Sequence, residues 1–230
     1  MPTTFNQIEH RLTIIRNRIS AAARAAGRDP ATIRLVAVSK RHPAEAVRAA
    51  LSAGQLDFGE NYASELADKA AHLPDEICWH LIGPLQRRQA GSLPRNTALW
   101  HTLDRIKILE RFRHLERIPP PCLVQVNIGK EPQKSGIAPE DVRAFLERIQ
   151  QQYPEVQVRG LMTIPPAGAP EQTRPWFAAL RELAATVSDL LPDSPELSMG
   201  MSGDFEQAIA EGATIVRVGS AIFGPRPTDV

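Results

Sequence analysis

The chain has 230 residues, 43% of them hydrophobic and 23% charged, with a formal net charge of +1. That composition suits a soluble globular protein with a substantial core, and the length fits one large domain. A near-neutral balance gives no global attraction to nucleic acid or to an anionic membrane, and the local pair Arg87–Arg88 reads as solvated surface.

The N-terminal segment carries apolar residues at Ile8, Leu12, Ile15, Ile19, Ala22 and Ala26, the steps of one helical face. Arginines interrupt its apolar stripe, so it reads as neither a signal peptide nor a membrane span, and the expected location is the cytoplasm. Gly27 and Asp29-Pro30 stop the helix. The chain has two cysteines, Cys78 and Cys122, each in an apolar run. They read as buried free thiols of a reducing compartment, with a disulfide between them left open by sequence alone.

Beyond the first helix, short β-like runs alternate with helical stretches. The runs are Arg34–Lys40, Leu56–Asn61, Cys78–Gly83, Leu99–Asp104, Cys122–Ile128, Val156–Thr163, Leu197–Ser202 and Ala213–Ser220. Several are almost continuously apolar, as parallel strands covered on both faces require. One helix opens at Pro43, with Glu45 in its first turn, and stops before Gly54. Another opens at Pro139 and buries Val142, Phe145, Leu146 and Ile149. A longer one runs through Trp176, Leu180, Leu183, Val187 and Leu190. Pro119-Pro120-Pro121 reads as a helix terminator. The pattern predicts an α/β fold, a single (β/α)8 TIM barrel over residues 1–230 with an extra N-terminal helix; an open doubly wound sheet is the competitor.

In a parallel barrel, chemistry gathers where the strands end. Lys40 ends the apolar run Leu35-Val36-Ala37-Val38. Taken alone it reads either as an ordinary surface lysine or as a partly desolvated amine, nucleophilic toward an aldehyde. Gly219-Ser220 after the eighth run and Ser202-Gly203 after the seventh offer hydroxyl and N–H donors suited to a phosphate. The plainer readings are an N-cap for Ser202 and a packing role for Gly219. Arg217 shares strand parity with Gly219 and should point inward, where Asp57 or a ligand nitrogen would be its acceptor. His80 reads as a core histidine on its own. The six histidines lack metal-ligand spacing, and no glycine-rich nucleotide loop, CxxC or HExxH occurs.

Several stretches together resemble a known family. They are Val36-Ala37-Val38-Ser39-Lys40, Asp57-Phe58-Gly59-Glu60-Asn61-Tyr62 and Trp79-His80-Leu81-Ile82-Gly83-Pro84-Leu85-Gln86. Then come Val126-Asn127-Ile128 with Glu131 and Lys134-Ser135-Gly136, Gly160-Leu161-Met162-Thr163-Ile164 and Leu197-Ser198-Met199-Gly200-Met201-Ser202. The last is Val216-Arg217-Val218-Gly219-Ser220-Ala221-Ile222-Phe223-Gly224. In this order they resemble the pyridoxal phosphate homeostasis proteins, single-barrel relatives of the alanine racemase N-terminal domain.

The resemblance implies pyridoxal 5′-phosphate held covalently on Lys40 as a Schiff base. It implies that Ser202, Gly219 and Ser220 hold the phosphate, that Arg217 faces the pyridine nitrogen, and that Asn61, His80 and Met162 line the ring site. The chain departs from the family at Ser64, where glutamine is common, and at Arg88-Gln89, where Asn-Lys is common. Whether Lys134 offers a second cofactor site stays open.

The implied role is intracellular buffering or delivery of the cofactor, with PLP-dependent apo-enzymes as candidate recipients, no established turnover, and a monomeric state. The alternatives are an amino-acid racemase and a Schiff-base aldolase without pyridoxal phosphate. Two-base racemisation needs groups on opposite faces of the α-carbon. Only Tyr62 of the two tyrosines lies near the rim. An arginine at the ring nitrogen would also weaken the electron sink, so the carrier role is expected.

Overall fold

Ile8, Leu12, Ile15, Ile19 and Ala23 form the buried face of the first helix, α1 (Phe5–Ala25). The stripe ends on Ala23, not on Ala22 and Ala26, because the fourth step is four residues long. The computed structural model describes residues 5–225. Among these residues no helix is long and apolar enough to cross a membrane.

Eight parallel strands close into a barrel in chain order. They are β1 (Arg34–Val38), β2 (Asp57–Glu60), β3 (Cys78–Leu81), β4 (Thr97–Leu103), β5 (Cys122–Val126), β6 (Val158–Thr163), β7 (Glu196–Ser198) and β8 (Ile215–Val218). Pairing of β1 with β8 shuts the sheet, in the register Val36 to Arg217. Closure excludes the open doubly wound alternative. Every residue of β5 is buried, as the continuous apolar run required. The helices between strands are α2 (Ala44–Ser52), α3 (Ala63–His72), α4 (Ile106–His114), α5 (Val142–Gln152), α6 (Pro170–Thr186) and α7 (Phe205–Ala210), and the short α8 (Ser220–Phe223) comes after β8. α1 packs across α2, α7 and α8. Each fully buried leucine or isoleucine on such a face contributes about 1.5–3 kcal/mol.

Outward strand residues join the helices in the main core, whereas Val36, Leu99, Leu123, Met162 and Ile215 form a second, smaller cluster. Strand parity places this cluster inside the barrel.

Several expectations shift. Strands end earlier than the apolar runs, so Lys40 and Asn61 stand on loops past β1 and β2. The buried face of α6 is Thr173, Phe177, Leu180 and Ala184, with Trp176 and Leu183 only half-buried beside it. α4 stops at His114, before the prolines, and the Pro121 carbonyl instead accepts the Trp100 N–H at 2.8 Å. Both cysteines are free; Cys122 is buried but Cys78 is exposed. As the first residue of β3, Cys78 sits at the barrel's N-terminal mouth, on the wall of a cleft there.

Candidate functional site

The C-terminal mouth of the barrel opens into a cavity of about 480 Å³, with Lys40, Asn61, Ser202, Arg217, Gly219 and Ser220 on its wall. Residues from both ends of the chain thus meet because β1 and β8 are neighbours in the closed sheet.

Lys40 stands on a tight turn. The His42 N–H donates to the Ser39 carbonyl at 3.0 Å, and Arg41 adopts φ of 62°, a conformation uncommon for a residue with a side chain. Buried charges hold this turn from below. Lys69 Nζ donates to the Ser39 carbonyl at 2.8 Å, to Glu60 Oε1 at 2.7 Å and to Glu65 Oε1 at 2.9 Å. Ser39 Oγ donates to Glu60 Oε1 at 2.6 Å, and the Arg41 N–H donates to Glu65 Oε1 at 2.6 Å. The ammonium thereby uses every donor it has. Burial pushes the Glu60 carboxyl up to about 7, against the opposing pull of Lys69 and Ser39.

Asn61 reaches the wall because the loops after β2 and β3 cross closely. A Cβ at Gly83 would fall 2.0 Å from the Asn61 carbonyl oxygen, so only glycine fits there.

At the opposite side, Ser202 Oγ lies 3.4 Å from both the Gly219 nitrogen and Ser220 Oγ. Contacts of that length are weak, so these donors converge on one corner without satisfying one another. Ser202 does not cap a helix: α7 begins after Asp204, whose Oδ1 accepts the Met201 N–H at 2.7 Å.

Arg217 points inward and is 4% exposed. Its Nη1 donates to Ser198 Oγ at 2.6 Å and its Nη2 to the Thr163 carbonyl at 3.0 Å. Burial lowers its pKa to about 10, which leaves it cationic at neutral pH. Asp57 is not its acceptor. That carboxylate lies at the N-terminal mouth, 3.0 Å from His80 Nε2 and 3.7 Å from Arg34 Nε. Strand parity identifies inward residues, but the stagger that closes a barrel decides which of them meet.

Comparison with known proteins shows the family. Residues 10–227 match the family described as alanine racemase, N-terminal domain. The chain is 48% identical over 215 residues to the pyridoxal phosphate homeostasis protein of Pseudomonas aeruginosa, covering 91% of each. The chain belongs to the pyridoxal phosphate homeostasis protein family. The Escherichia coli K12 member is 41% identical over 231 residues, covering 96% of this chain and 97% of that one. PipY of Synechococcus elongatus, solved with PLP bound, superposes with a TM-score of 0.79 at 38% identity, covering 95% of this chain and 100% of PipY. Alanine racemase from Bartonella henselae shares the fold, with a TM-score of 0.72 at 15% identity over 98% of this chain and 62% of the racemase.

Within this family member, two of the residues expected at the ring site lie elsewhere. His80 is fully buried in the barrel interior between Asp57 and His101, and Met162 packs with Val36 and Leu123; neither is on the cavity wall. Both sit on strands, β3 and β6, and point into the closed interior, whereas the wall is built largely by the loops beyond. Ser64 and Arg88 are exposed, Gln89 is half-buried with its side-chain oxygen accepting the Gln86 N–H at 3.1 Å, and none of the three is on the cavity wall.

Sequence reasoning missed the partners of Arg217. Ser198, on β7, and the Thr163 carbonyl, at the end of β6, have nothing local to mark them as its acceptors. Lys134 lines the same cavity as Lys40, with Nζ donating to the Pro165 carbonyl at 3.0 Å and paired with Glu131 Oε2 at 2.5 Å. Among the described residues no group of three or more His, Cys, Asp or Glu is placed to hold a metal ion.

Proposed function

We propose that this chain binds pyridoxal 5′-phosphate as a Schiff base on Lys40 and buffers or delivers it inside the cell. The observation that carries the reading is the meeting, in one cavity, of an amine (Lys40), a donor-rich corner (Ser202, Gly219, Ser220) and a buried cation (Arg217). The relatives named as homeostasis proteins and the PLP-bound PipY support it.

In this reading the hydroxyls of Ser202 and Ser220 and the Gly219 N–H hold the phosphate, and Arg217 faces the ring nitrogen. Asn61 flanks the ring. His80 and Met162 lie in the barrel interior beneath this cavity. When bound, the cofactor supplies an electrophilic aldehyde and an electron-withdrawing ring. A cationic arginine at the ring nitrogen opposes protonation there and so weakens that withdrawal.

We read the protein as a carrier rather than a racemase, acting as a cytoplasmic monomer with apo-enzymes as recipients. Tyr62, the rim tyrosine that a second base would require, is 51% exposed and off the cavity wall. Borohydride treatment of the loaded protein tests the attachment. The expected result is one pyridoxyl group on the peptide containing Lys40, absent from Lys40→Ala. A protein that stays colourless with added cofactor would overturn the reading. Isotope exchange at the α-carbon of amino acids, abolished by Tyr62→Phe, would replace the carrier with an enzyme.

A further inference from the structure

A continuous file of hydrogen bonds runs through the barrel interior from one mouth toward the other. Asp57 Oδ1 is 3.0 Å from His80 Nε2, His80 Nδ1 is 2.9 Å from His101 Nε2, and His101 Nδ1 is 2.8 Å from Ser198 Oγ. Ser198 Oγ then meets Arg217 Nη1 at 2.6 Å. Both imidazoles are fully buried. The Asp57 end lines a second cavity, at the N-terminal mouth, with Arg34, Cys78, Arg159 and Glu196.

Donor and acceptor chemistry fixes the direction of this file. A guanidinium only donates and an ionised carboxylate only accepts. Ser198 Oγ therefore accepts from Arg217, which leaves its own proton for His101 Nδ1. Between the two imidazoles one nitrogen must carry the shared proton. If His101 Nδ1 accepts, its Nε2 carries the proton and donates to His80 Nδ1, and His80 Nε2–H donates to Asp57. The reverse polarity would set a bare His80 Nε2 against the Asp57 carboxylate, or require a proton there. It would also leave the Ser198 hydroxyl proton without its acceptor. Burial, with the neighbouring Arg217 charge, pushes the His101 pKa well below its ordinary value, so its ring is neutral and has a single N–H. Bonds aligned in this way polarise one another.

We propose that Asp57, His80 and His101 are positioning residues for Arg217. They form a one-way relay that sets both imidazoles as Nε2–H tautomers and presents the Ser198 oxygen to the guanidinium as an acceptor. The relay ties the orientation of a group in the C-terminal cavity to a carboxylate at the other mouth. Its relevance to the ligand rests on the reading of Arg217 as the group facing the ring nitrogen. The tautomers themselves do not depend on that reading.

Nitrogen-15 NMR of histidine-labelled, cofactor-free protein at about pH 8, above the ordinary histidine range, tests the relay directly. The expected spectrum has both His80 and His101 with a bare Nδ1 and a protonated Nε2. A protonated Nδ1 on either ring overturns the proposal. Asp57→Asn keeps an acceptor oxygen and should retain the wild-type pattern. Asp57→Ala should lose it, with His80 and His101 sampling both tautomers. When the variants are loaded with pyridoxal 5′-phosphate, the absorbance maximum should shift in Asp57→Ala and hold in Asp57→Asn. Unchanged tautomers and an unchanged maximum in Asp57→Ala would show that the file positions nothing. A protein that takes up no cofactor would sink the functional reading alone, and the tautomers of Asp57→Ala would still decide the relay.

Discussion

Lys69 Nζ and Glu60 Oε1 meet 2.7 Å apart, both almost wholly buried, beneath the turn that carries Lys40. Lys69 comes from α3 and Glu60 from the end of β2, so the pair ties a helix, a strand and the Lys40 turn together. The same ammonium also bonds the Ser39 carbonyl, one residue before Lys40.

Lys69→Met should therefore be costly. Removing one partner of a buried ion pair leaves an uncompensated charge, a loss of about 3–5 kcal/mol. Urea unfolding of the cofactor-free protein should show it as a lower midpoint. Glu60→Gln keeps a carbonyl acceptor for Lys69 and Ser39 and should lose less.

Glu60 also predicts a pH dependence. Its carboxyl moves from an ordinary 4.5 to about 7 on folding, so in that window the folded state binds more protons than the unfolded one. A raised pKa contributes stability that is fully present below 4.5 and is lost as pH rises through about 7. At about 1.4 kcal/mol per pKa unit, the effect approaches ~3 kcal/mol as an upper bound. Unfolding midpoints measured from about pH 4.5 to about pH 8 should carry this slope in the wild type and lose it in Glu60→Gln.

The two cysteines should react very differently. Burial pushes the Cys122 thiol up to about 12, so it is protonated and inaccessible in the native state. Cys78 is exposed at the N-terminal mouth, with its pKa raised first by partial burial and then by Asp57. Native alkylation followed by mass spectrometry should give one slow adduct, on Cys78. Modification of Cys122 should appear only on unfolding.

Ser202→Ala and Ser220→Ala test the phosphate corner. Each should weaken uptake of pyridoxal 5′-phosphate by about ten- to a hundredfold, the loss of one hydrogen bond to a charged group at ~1.5–3 kcal/mol. Fluorescence titration of the apo-protein measures it. Borohydride fixation on Lys40 should survive in both variants at saturating cofactor.

The alternation of strands and helices, the extra N-terminal helix and the cluster at the C-terminal mouth were legible in the chain because each rests on local periodicity, whereas closure rather than an open sheet was decided by the pairing of β1 with β8. Apolar runs mark strands, and the residues just past their ends gather at one rim. Lys40, Asn61, Ser202, Gly219 and Ser220 all stand in such positions. The apolar runs overshoot the strand ends, however: Lys40 lies in a turn with Arg41 at φ 62°, which no apolar count reveals.

The interior was harder to read. Parity gives Arg217 an inward direction, yet its partners are Ser198 and the Thr163 carbonyl rather than Asp57. His80 carried a family expectation of the ring site and instead bridges Asp57 and His101. Amino-acid order by itself determined the elements, their facing and the collection of polar groups at one mouth, since these depend on neighbours a few positions apart. Which buried donor finds which acceptor was decided only by the closed barrel, because its stagger joins residues from strands far apart in the chain at distances that no local pattern encodes.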